Sequence, residues 1–216
     1  MFNVVTIARE FGSGGAEIGL RVAQQLGWEF VDRQIIERVA ALGKVDPTWC
    51  EEADEQSCAW WERVLNGFRH GGPEVYVGGV ADTGVDRDSL QRFTAKVITE
   101  AGKAGNCVII GRSSQCVLHN QPHVLHVLVY APMDEKLRRL QHRHSDERDL
   151  PSLLHRMDTE RARYTRDYFG CDHSDLSLYH LCLNSTLGID ACASLIVNAI
   201  RAPESVQRTQ TEQATA

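Results

Sequence analysis

The sequence has no hydrophobic run long enough to cross a membrane. A membrane-spanning helix needs roughly 20 consecutive apolar residues, whereas the longest apolar-rich runs, such as 124–131, have the length of a strand. The amino terminus also lacks the basic start and long apolar stretch of a secretory signal. We therefore expect a cytoplasmic protein that makes no membrane contact.

An excess of basic residues is missing as well. The chain has 23 Lys and Arg against 29 Asp and Glu, a formal net charge of -6. Because proteins that bind nucleic acid in general need a basic surface, such binding is not expected here. Arginines cluster between Arg138 and Arg166, which allows a local basic cleft. An acidic body with a basic cleft favours a small phosphorylated ligand as the partner.

Paired cysteine motifs and hydrolase motifs are absent. The seven cysteines are odd in number and include no Cys-x-x-Cys pair, so free thiols are expected rather than a disulfide framework. The nine histidines show no zinc-site spacing, and we predict no metal site built from them. Without a Gly-x-Ser-x-Gly motif, serine hydrolase chemistry has no support.

Hydrophobic periodicity predicts strands that alternate with helices. The predicted strands are 3–8, 28–31, 107–110, 124–130 and 179–184, and the predicted helices are 16–26, 34–42, 88–104, 133–144, 151–169 and 189–200. This alternation predicts an α/β fold with a parallel sheet in one domain over 1–201. Residues 44–85 have no clean period; helices are expected near 50–68 and a loop near 70–86. The polar tail 202–216 is predicted to be disordered.

The turn after the first strand holds three glycines in four residues. Glycines allow positive φ and let the backbone approach a ligand closely. The N–H groups of this loop and of the helix that follows would form an anion site together with the helix dipole. A tight turn without a ligand is the alternative. The residues of this candidate phosphate site are Gly12, Ser13, Gly14, Gly15, Ala16 and Glu17.

The loop departs from the standard P-loop motif G-x-x-x-x-G-K-[ST]. Aligned on Gly14, the first glycine of the motif becomes Arg9 and the lysine becomes Gly15. Ala16 and Glu17 replace the hydroxyl that would hold Mg²⁺. A nucleotide bound here therefore lacks one cation and one metal ligand, which a kinase would have to supply from elsewhere.

The predicted helix 151–169 carries several arginines. At about 100° per residue, Arg161 falls in the middle of an apolar face. A charge on such a face needs a partner, and either Asp158 or a ligand phosphate would serve. Arg156 and Arg166 lie towards the other side, where they would form a solvated face or neutralise a transferred phosphoryl group. The apolar residues of the face are Leu153, Leu154, Met157, Tyr164 and Tyr168.

Two further charged residues follow predicted strands. Arg112 comes directly after Gly111 at the end of a buried strand, a position that suits bidentate phosphate binding, although a surface arginine is the alternative. Asp32 ends the second strand and could bind acceptor groups, or Mg²⁺ through water. Its alternative role is to cap the helix that follows.

These motifs resemble the cytidylate kinase-like family of P-loop proteins. The resemblance runs from about residue 3 to 200, excluding 44–85. It is carried by residues 6–15 and 17–19, 30–33 and 108–112, and by Asp158, 160–162, Tyr164, Asp172, Tyr179 and Asn184. Cytidylate kinases proper have a lysine at the position of Gly15 and an acid at that of Ser113, and many cytidylate kinase-like members have an arginine at that of Ala16.

The resemblance implies a nucleoside monophosphate kinase fold. This is a P-loop NTPase-type three-layer sandwich with a five-stranded parallel sheet, a helical lid over 133–175 and an acceptor-binding insertion over 44–86. By the same resemblance, residues 12–17 would hold the ATP phosphates, and Asp32 and Arg112 would face the acceptor nucleotide. Catalytic arginines would come from the lid, namely Arg161, Arg156 and Arg166.

The implied activity is transfer of the γ-phosphoryl group of ATP, with Mg²⁺, to a nucleoside monophosphate such as CMP or dCMP. Two alternatives stay open. A nucleotide-binding sensor without turnover is indicated by Gly15, Ala16 and Ser113. A kinase for a small non-nucleotide acceptor is indicated by the atypical segment 44–85. The sequence leaves monomer or homodimer undecided.

Overall fold

The computed structural model describes residues 1–32, 87–141 and 149–214, apart from the side chains of residues 87–90, 93 and 203–214. Its strands are β1 (Val4–Arg9), β2 (Glu29–Val31), β3 (Cys107–Ile110), β4 (Val124–Tyr130) and β5 (Leu181–Asn184). Its helices are α1 (Gly15–Leu26), α2 (Arg87–Ala104), α3 (Ser114–Val117), α4 (Met133–Gln141), α5 (Leu150–Phe169) and α6 (Ile189–Ala214).

The five strands form one parallel sheet in the order β2-β3-β1-β4-β5. The central strand β1 pairs Ile7 with Ile110 of β3 and Arg9 with Val129 of β4. Since the strands are parallel, their carboxyl ends meet at one edge, which is where ligands bind in open α/β sheets. The glycine loop after β1 and the Gly111-Arg112 pair after β3 therefore lie at the same edge.

Alternate side chains of the strands pack on opposite faces of the sheet. On one face Val5, Ile7 and Val127 pack against α1 and α6. On the other face Val4, Ile109 and Val124 contact the side chains of α2 and α3. The result is a sheet between two helical layers, which confirms the predicted three-layer α/β fold.

Most element bounds agree with the sequence predictions to within one or two residues. Strand β5 begins at Leu181 rather than Tyr179, because the preceding Leu176–Leu178 form a short 3-10 turn. Helix α4 is described to Gln141, and the rest of the predicted helix 133–144 lies outside the described residues. The predicted helix 34–42 and the segment 44–86 also lie outside them.

The structure differs from the predictions at two helices. The four-residue helix α3 was not predicted, since it is too short to show a hydrophobic period. Helix α6 continues to Ala214, although disorder was predicted from residue 202. The extension includes Pro203, which donates no backbone hydrogen bond to the helix, together with good helix formers such as glutamate, glutamine and arginine.

The five cysteines in the described part of the chain are free thiols. Cys107 in β3 and Cys192 in α6 are buried, whereas Cys182 in β5 is exposed. Burial raises the pKa of the Cys107 thiol far above its ordinary value, so this side chain acts as a small apolar group of the core. Among the described residues, no helix combines the length and hydrophobicity needed to span a bilayer.

Candidate functional site

The glycine loop between β1 and α1 presents its backbone donors to a ligand. Gly12 and Gly14 have left-handed φ values of 78° and 81°, which glycine adopts without steric cost. Gly14 caps α1, and no side chain makes a capping hydrogen bond. In the described part of the chain, the N–H groups of Gly12, Gly14 and Gly15 have no acceptor. Such a turn binds an anion at the positive end of the helix dipole.

Other segments of the chain fix the conformation of the loop. Within the loop, the Ser13 hydroxyl donates to the Glu10 carbonyl at 2.9 Å. The Phe11 N–H donates to Asp158 Oδ1 of α5 at 2.6 Å. Arg139 of α4 donates to the Ser13 carbonyl at 2.6 Å and to the Ser185 hydroxyl at 2.8 Å. The loop is therefore held in shape by α4, α5 and the segment after β5.

A cluster of three charged side chains lies beside the loop. Lys136 of α4 has only 9% of its side chain exposed, and its Nζ lies 2.6 Å from Glu10 and 3.6 Å from Asp158. Glu10 also accepts the N–H of Ala131 at 3.2 Å. We call Glu10, Lys136 and Asp158 the charged cluster. It joins the loop to α4 and α5 and places a lysine at the base of the loop.

Sequence reasoning missed the roles of Lys136 and Arg139. Helical spacing indicates only a local ion pair between Glu135 and Arg139, which the structure contains at 2.9 Å. The contact of Arg139 with Ser13 crosses 126 residues, and local periodicity carries no signal for such a contact. The only hint was chemical, namely that a loop without its lysine needs a cation from another segment.

A cavity of 530 Å³ adjoins the loop at the carboxyl edge of the sheet, between β1, β3, α2 and α5. Three of its side chains are arginines and two are tyrosines. The volume lies within the range of about 300–1,000 Å³ typical of small-molecule sites. The residues that line the cavity are Ala8, Arg9, Gln91, Thr94, Ile110, Gly111, Arg112, Ser113, Gln115, Met157, Glu160, Arg161, Tyr164, Thr165, Tyr168 and His173.

Arg161 connects the cavity to the loop. Its Nη1 donates to the Arg9 carbonyl at 3.0 Å and lies 3.8 Å from Asp158 Oδ1. Its guanidinium lies 5.3 Å from the centre of the Phe11 ring. Arg161 therefore lies near Asp158, the ion-pair partner considered from the sequence, and it also lines the cavity. The phosphate contact considered from the sequence stays a prediction.

Arg112 lines the same cavity at the end of β3. Its φ is 55°, an uncommon value for a residue other than glycine. The Arg112 guanidinium lies 5.8 Å from the centre of the Tyr164 ring. Burial raises the pKa of Tyr164, an effect that Arg112 partly offsets, so the phenol stays neutral near pH 7. Arg112 thus follows β3 as predicted, and phosphate binding by its side chain stays a prediction.

The structure does not bring the other predicted site residues into the cavity. Arg156 and Arg166 are exposed on α5. Each is five residues from Arg161, which turns its side chain by roughly 140° around the helix. Asp32 is half-buried at the end of β2 and is not among the lining residues. Ala16 and Glu17 are exposed in the first turn of α1, beside the loop.

A buried amide contributes a polar group to the cavity wall. Gln115 of α3 is 1% exposed and donates to the Tyr179 hydroxyl at 3.5 Å. Among the described residues no donor reaches its Oε1. A buried carbonyl without a donor costs about 1–3 kcal/mol, which a ligand donor in the cavity would relieve. Periodicity offered no hint of this residue, because α3 itself was not predicted.

Solved structures share this fold. An uncharacterized protein from Eubacterium ventriosum matches with a TM-score of 0.65 and 18% identity, covering 91% of this chain and 97% of that one. A shikimate kinase from Acinetobacter baumannii in complex with shikimate matches with a TM-score of 0.51 and 13% identity, covering 94% and 95%. No curated protein sequence matches. The structural matches identify a P-loop kinase fold.

A family model gives the more specific match. The model of the cytidylate kinase-like family matches residues 4–187. This range includes the glycine loop, Arg112 and the whole of α5. It confirms the resemblance drawn from the sequence motifs. The chain belongs to the cytidylate kinase-like family.

Proposed function

We propose that this protein transfers the γ-phosphoryl group of ATP to a nucleoside monophosphate, with CMP and dCMP as the first candidate acceptors. Membership in the cytidylate kinase-like family supports a phosphotransferase of the P-loop kinase type. One observation carries the proposal: a glycine loop whose N–H donors have no acceptor among the described residues adjoins a cavity lined by Arg9, Arg112 and Arg161. A phosphate donor and a phosphate-bearing acceptor would thus lie side by side.

The donor phosphates would bind the backbone. The N–H groups of Gly12, Gly14 and Gly15 and the first turn of α1 form the anion site. The described residues contain no group of three metal-ligating side chains, which fits a Mg²⁺ ion that arrives on the nucleotide and keeps most of its water. Glu17, exposed beside the loop, would hold that water. The ion would supply charge neutralisation on the phosphates.

The acceptor would bind in the cavity. Its phosphate would lie between Arg112 and Arg161, since guanidinium groups bind phosphate oxygens in pairs. Its base would contact the rings of Tyr164 and Tyr168 on α5, whose centres are 5.0 Å apart. Gln115 would accept a hydrogen bond from an amino group of the base. This arrangement favours a phosphorylated acceptor with a planar ring.

Positioning and charge account for the chemistry in this proposal. Phosphoryl transfer through a loose transition state needs little covalent help from the protein. Arg161 would stabilise charge on the transferred group, because it lies between the loop and the cavity. Helix α5 would exclude water from the reacting groups. The charged cluster would keep the loop in its binding conformation.

A coupled assay of ADP release with CMP, dCMP, UMP and AMP tests the proposal. We expect release that depends on CMP or dCMP, and a rise of about 10-fold or more in the acceptor KM for Arg112→Met, because the bidentate phosphate contact is lost. Arg163→Gln is the matched control, since Arg163 is 80% exposed and pairs with Asp167. Acceptor-independent ADP release alone would contradict the proposal.

Two other experimental outcomes would support the two alternative functions. ATP or CMP binding by calorimetry without turnover selects a nucleotide sensor, which the absence of the P-loop lysine and of an acid at Ser113 favours. Turnover with a non-nucleotide acceptor alone selects a small-molecule kinase. The shikimate kinase that shares the fold makes shikimate a suitable member of the acceptor panel.

A further inference from the structure

The glycine and the basic residue of the standard P-loop motif have changed places in this chain, at positions 9 and 15. Arg9 stands where the motif has its first glycine, and Gly15 stands where it has its lysine. The structure gives this exchange a steric meaning. A Cβ atom built on Gly15 would lie 2.6 Å from Cβ and 3.2 Å from Cγ of Arg9. The stem of Arg9 therefore fills the space that a side chain at position 15 would need.

Conformation does not explain the glycine at position 15. Gly12 and Gly14 have positive φ values, but Gly15 does not and belongs to α1. A lysine could adopt the same backbone there, so the requirement for glycine comes from the Arg9 side chain alone. The residue types at positions 9 and 15 thus depend on each other.

A second glycine makes room for the guanidinium of Arg9. A Cβ atom on Gly111 would overlap Arg9 Nη1 and would lie 2.9 Å from Cζ. The Arg9 side chain consequently runs from Gly15, at the start of α1, to Gly111, at the end of β3. Arg9 also lines the acceptor cavity. Its charged end therefore lies beside Gly111 at the cavity wall, and its stem lies against the first residue of α1.

We propose that Arg9 supplies the cation that binds the transferred phosphoryl group, in place of the lysine that P-loop kinases carry at position 15. This inference rests on the proposed function. A P-loop lysine reaches the β- and γ-phosphates from the loop, and Arg9 reaches the same region from the end of β1. The Arg9 carbonyl accepts a hydrogen bond from Arg161 Nη1 at 3.0 Å, and Arg9, Arg112 and Arg161 all line the cavity, where their charges would attract phosphate groups.

Three variants test the exchange. Arg9→Met keeps an unbranched stem against Gly15 and removes the charge; kcat/KM for ATP should fall about 100-fold. Gly15→Lys should lose activity to a similar extent, because the new side chain collides with Arg9. The double variant Arg9→Gly with Gly15→Lys restores the standard motif, and it should recover at least about 10-fold over either single change. Arg163→Gln is the control for a change of one exposed charge.

The outcomes separate this inference from the proposed function. Arg9→Met with activity near that of the original chain, or a double variant no better than Gly15→Lys, overturns it. If the chain has no kinase activity, calorimetry with ATP and Mg²⁺ replaces the assay. Arg9→Met must then bind ATP at least about 10-fold more weakly than the original chain, and the double variant must recover ATP affinity. Equal affinity of Arg9→Met and the original chain overturns the role of Arg9. A chain that binds no ATP contradicts both proposals. Circular dichroism melts identify a variant that fails to fold.

Discussion

Two polar clusters of the molecule differ in charge: one lies within the sheet and the other lies beside the glycine loop. Along β1 and β4, the Thr6 hydroxyl contacts His126 Nδ1 at 2.7 Å, and the rings of His126 and His180 stack at 5.3 Å. We call Thr6 and His126, which are buried, the neutral cluster, since burial lowers the pKa of His126 to about 4. Beside the glycine loop, the charged cluster joins Lys136 to Glu10 at 2.6 Å.

The difference follows from what each cluster contacts. The neutral cluster lies within the sheet, where an ion would be costly to desolvate. The charged cluster has partners that are about one third exposed, with 35% for Glu10 and 31% for Asp158. It contacts the loop that we propose to bind phosphate. Ionic groups are therefore kept at the edge of the sheet where a charged ligand would arrive.

The largest effect is expected from breaking the charged cluster. Lys136→Met leaves Glu10 and Asp158 without their buried cation, so the free energy of unfolding should fall by about 3 kcal/mol. Urea denaturation measures the change. Arg163→Gln, which removes an arginine with 80% of its side chain exposed from a pair with the exposed Asp167, should change stability by less than about 0.5 kcal/mol. Equal effects of the two variants would refute a structural role for the charged cluster.

A variant of Arg161, which lies next to the charged cluster, should lose activity more than stability. Arg161→Met removes the guanidinium that contacts the Arg9 carbonyl, and kcat/KM should fall about 100-fold, or about 2.7 kcal/mol. Stability should change less than in Lys136→Met, because Arg161 is 3.8 Å from Asp158 and 27% exposed. Steady-state kinetics and thermal melts measure the two effects. A variant that keeps its activity would place Arg161 outside the reaction.

The neutral cluster should make stability depend on pH. The folded pKa of His126 lies below the ordinary value of 6.5, at about 4. Between these values the unfolded chain binds more protons, so stability is full above pH 6.5 and falls as the pH drops towards 4. Between pH 7 and pH 5 the loss attributable to His126 should be about 2 kcal/mol.

His126→Gln isolates this contribution. Burial also lowers the pKa of His173, but this residue is present in both proteins, so its contribution cancels in the comparison. Urea denaturation at pH 7 and pH 5 should show a smaller pH dependence for the variant than for the original chain. An identical slope for both proteins would mean that His126 is protonated in the folded state as readily as in the unfolded state.

The smallest effect is expected at a neutral pair in the cavity wall. The hydroxyls of Ser113 and Thr165 are 2.8 Å apart and buried, and they tie α5 to the segment after β3. Thr165→Val should lower the free energy of unfolding by about 1 kcal/mol. A double-mutant cycle with Ser113→Ala should give a coupling energy of at least about 0.5 kcal/mol. Additive effects would show that the two hydroxyls do not interact.

The sequence predicted those parts of the fold that depend on local periodicity. β3 and β4 have the predicted bounds, and the face of α5 with Met157, Arg161 and Tyr164 does line the cavity. Helix periodicity also indicated that Arg156 and Arg166 point elsewhere, which the structure agrees with. The family resemblance implied the same number of strands, five in one parallel sheet.

The parts that escaped prediction depend on contacts between distant segments. Lys136 and Arg139 reach the loop across more than a hundred residues, and Gln115 belongs to a helix too short to show a period. The packing of Arg9 on Gly15 and Gly111 also could not be predicted from the sequence, which shows only that Arg9 replaces the first glycine of the motif. Such contacts are set by the order of strands in the sheet.

A crystal structure with a non-hydrolysable ATP analogue, Mg²⁺ and CMP tests the central claim most directly. We predict the β- and γ-phosphates on the N–H groups of Gly12, Gly14 and Gly15, and the CMP phosphate between Arg112 and Arg161. Crystals with the analogue bound away from the glycine loop, or with both sites empty at saturating ligand, would contradict the account.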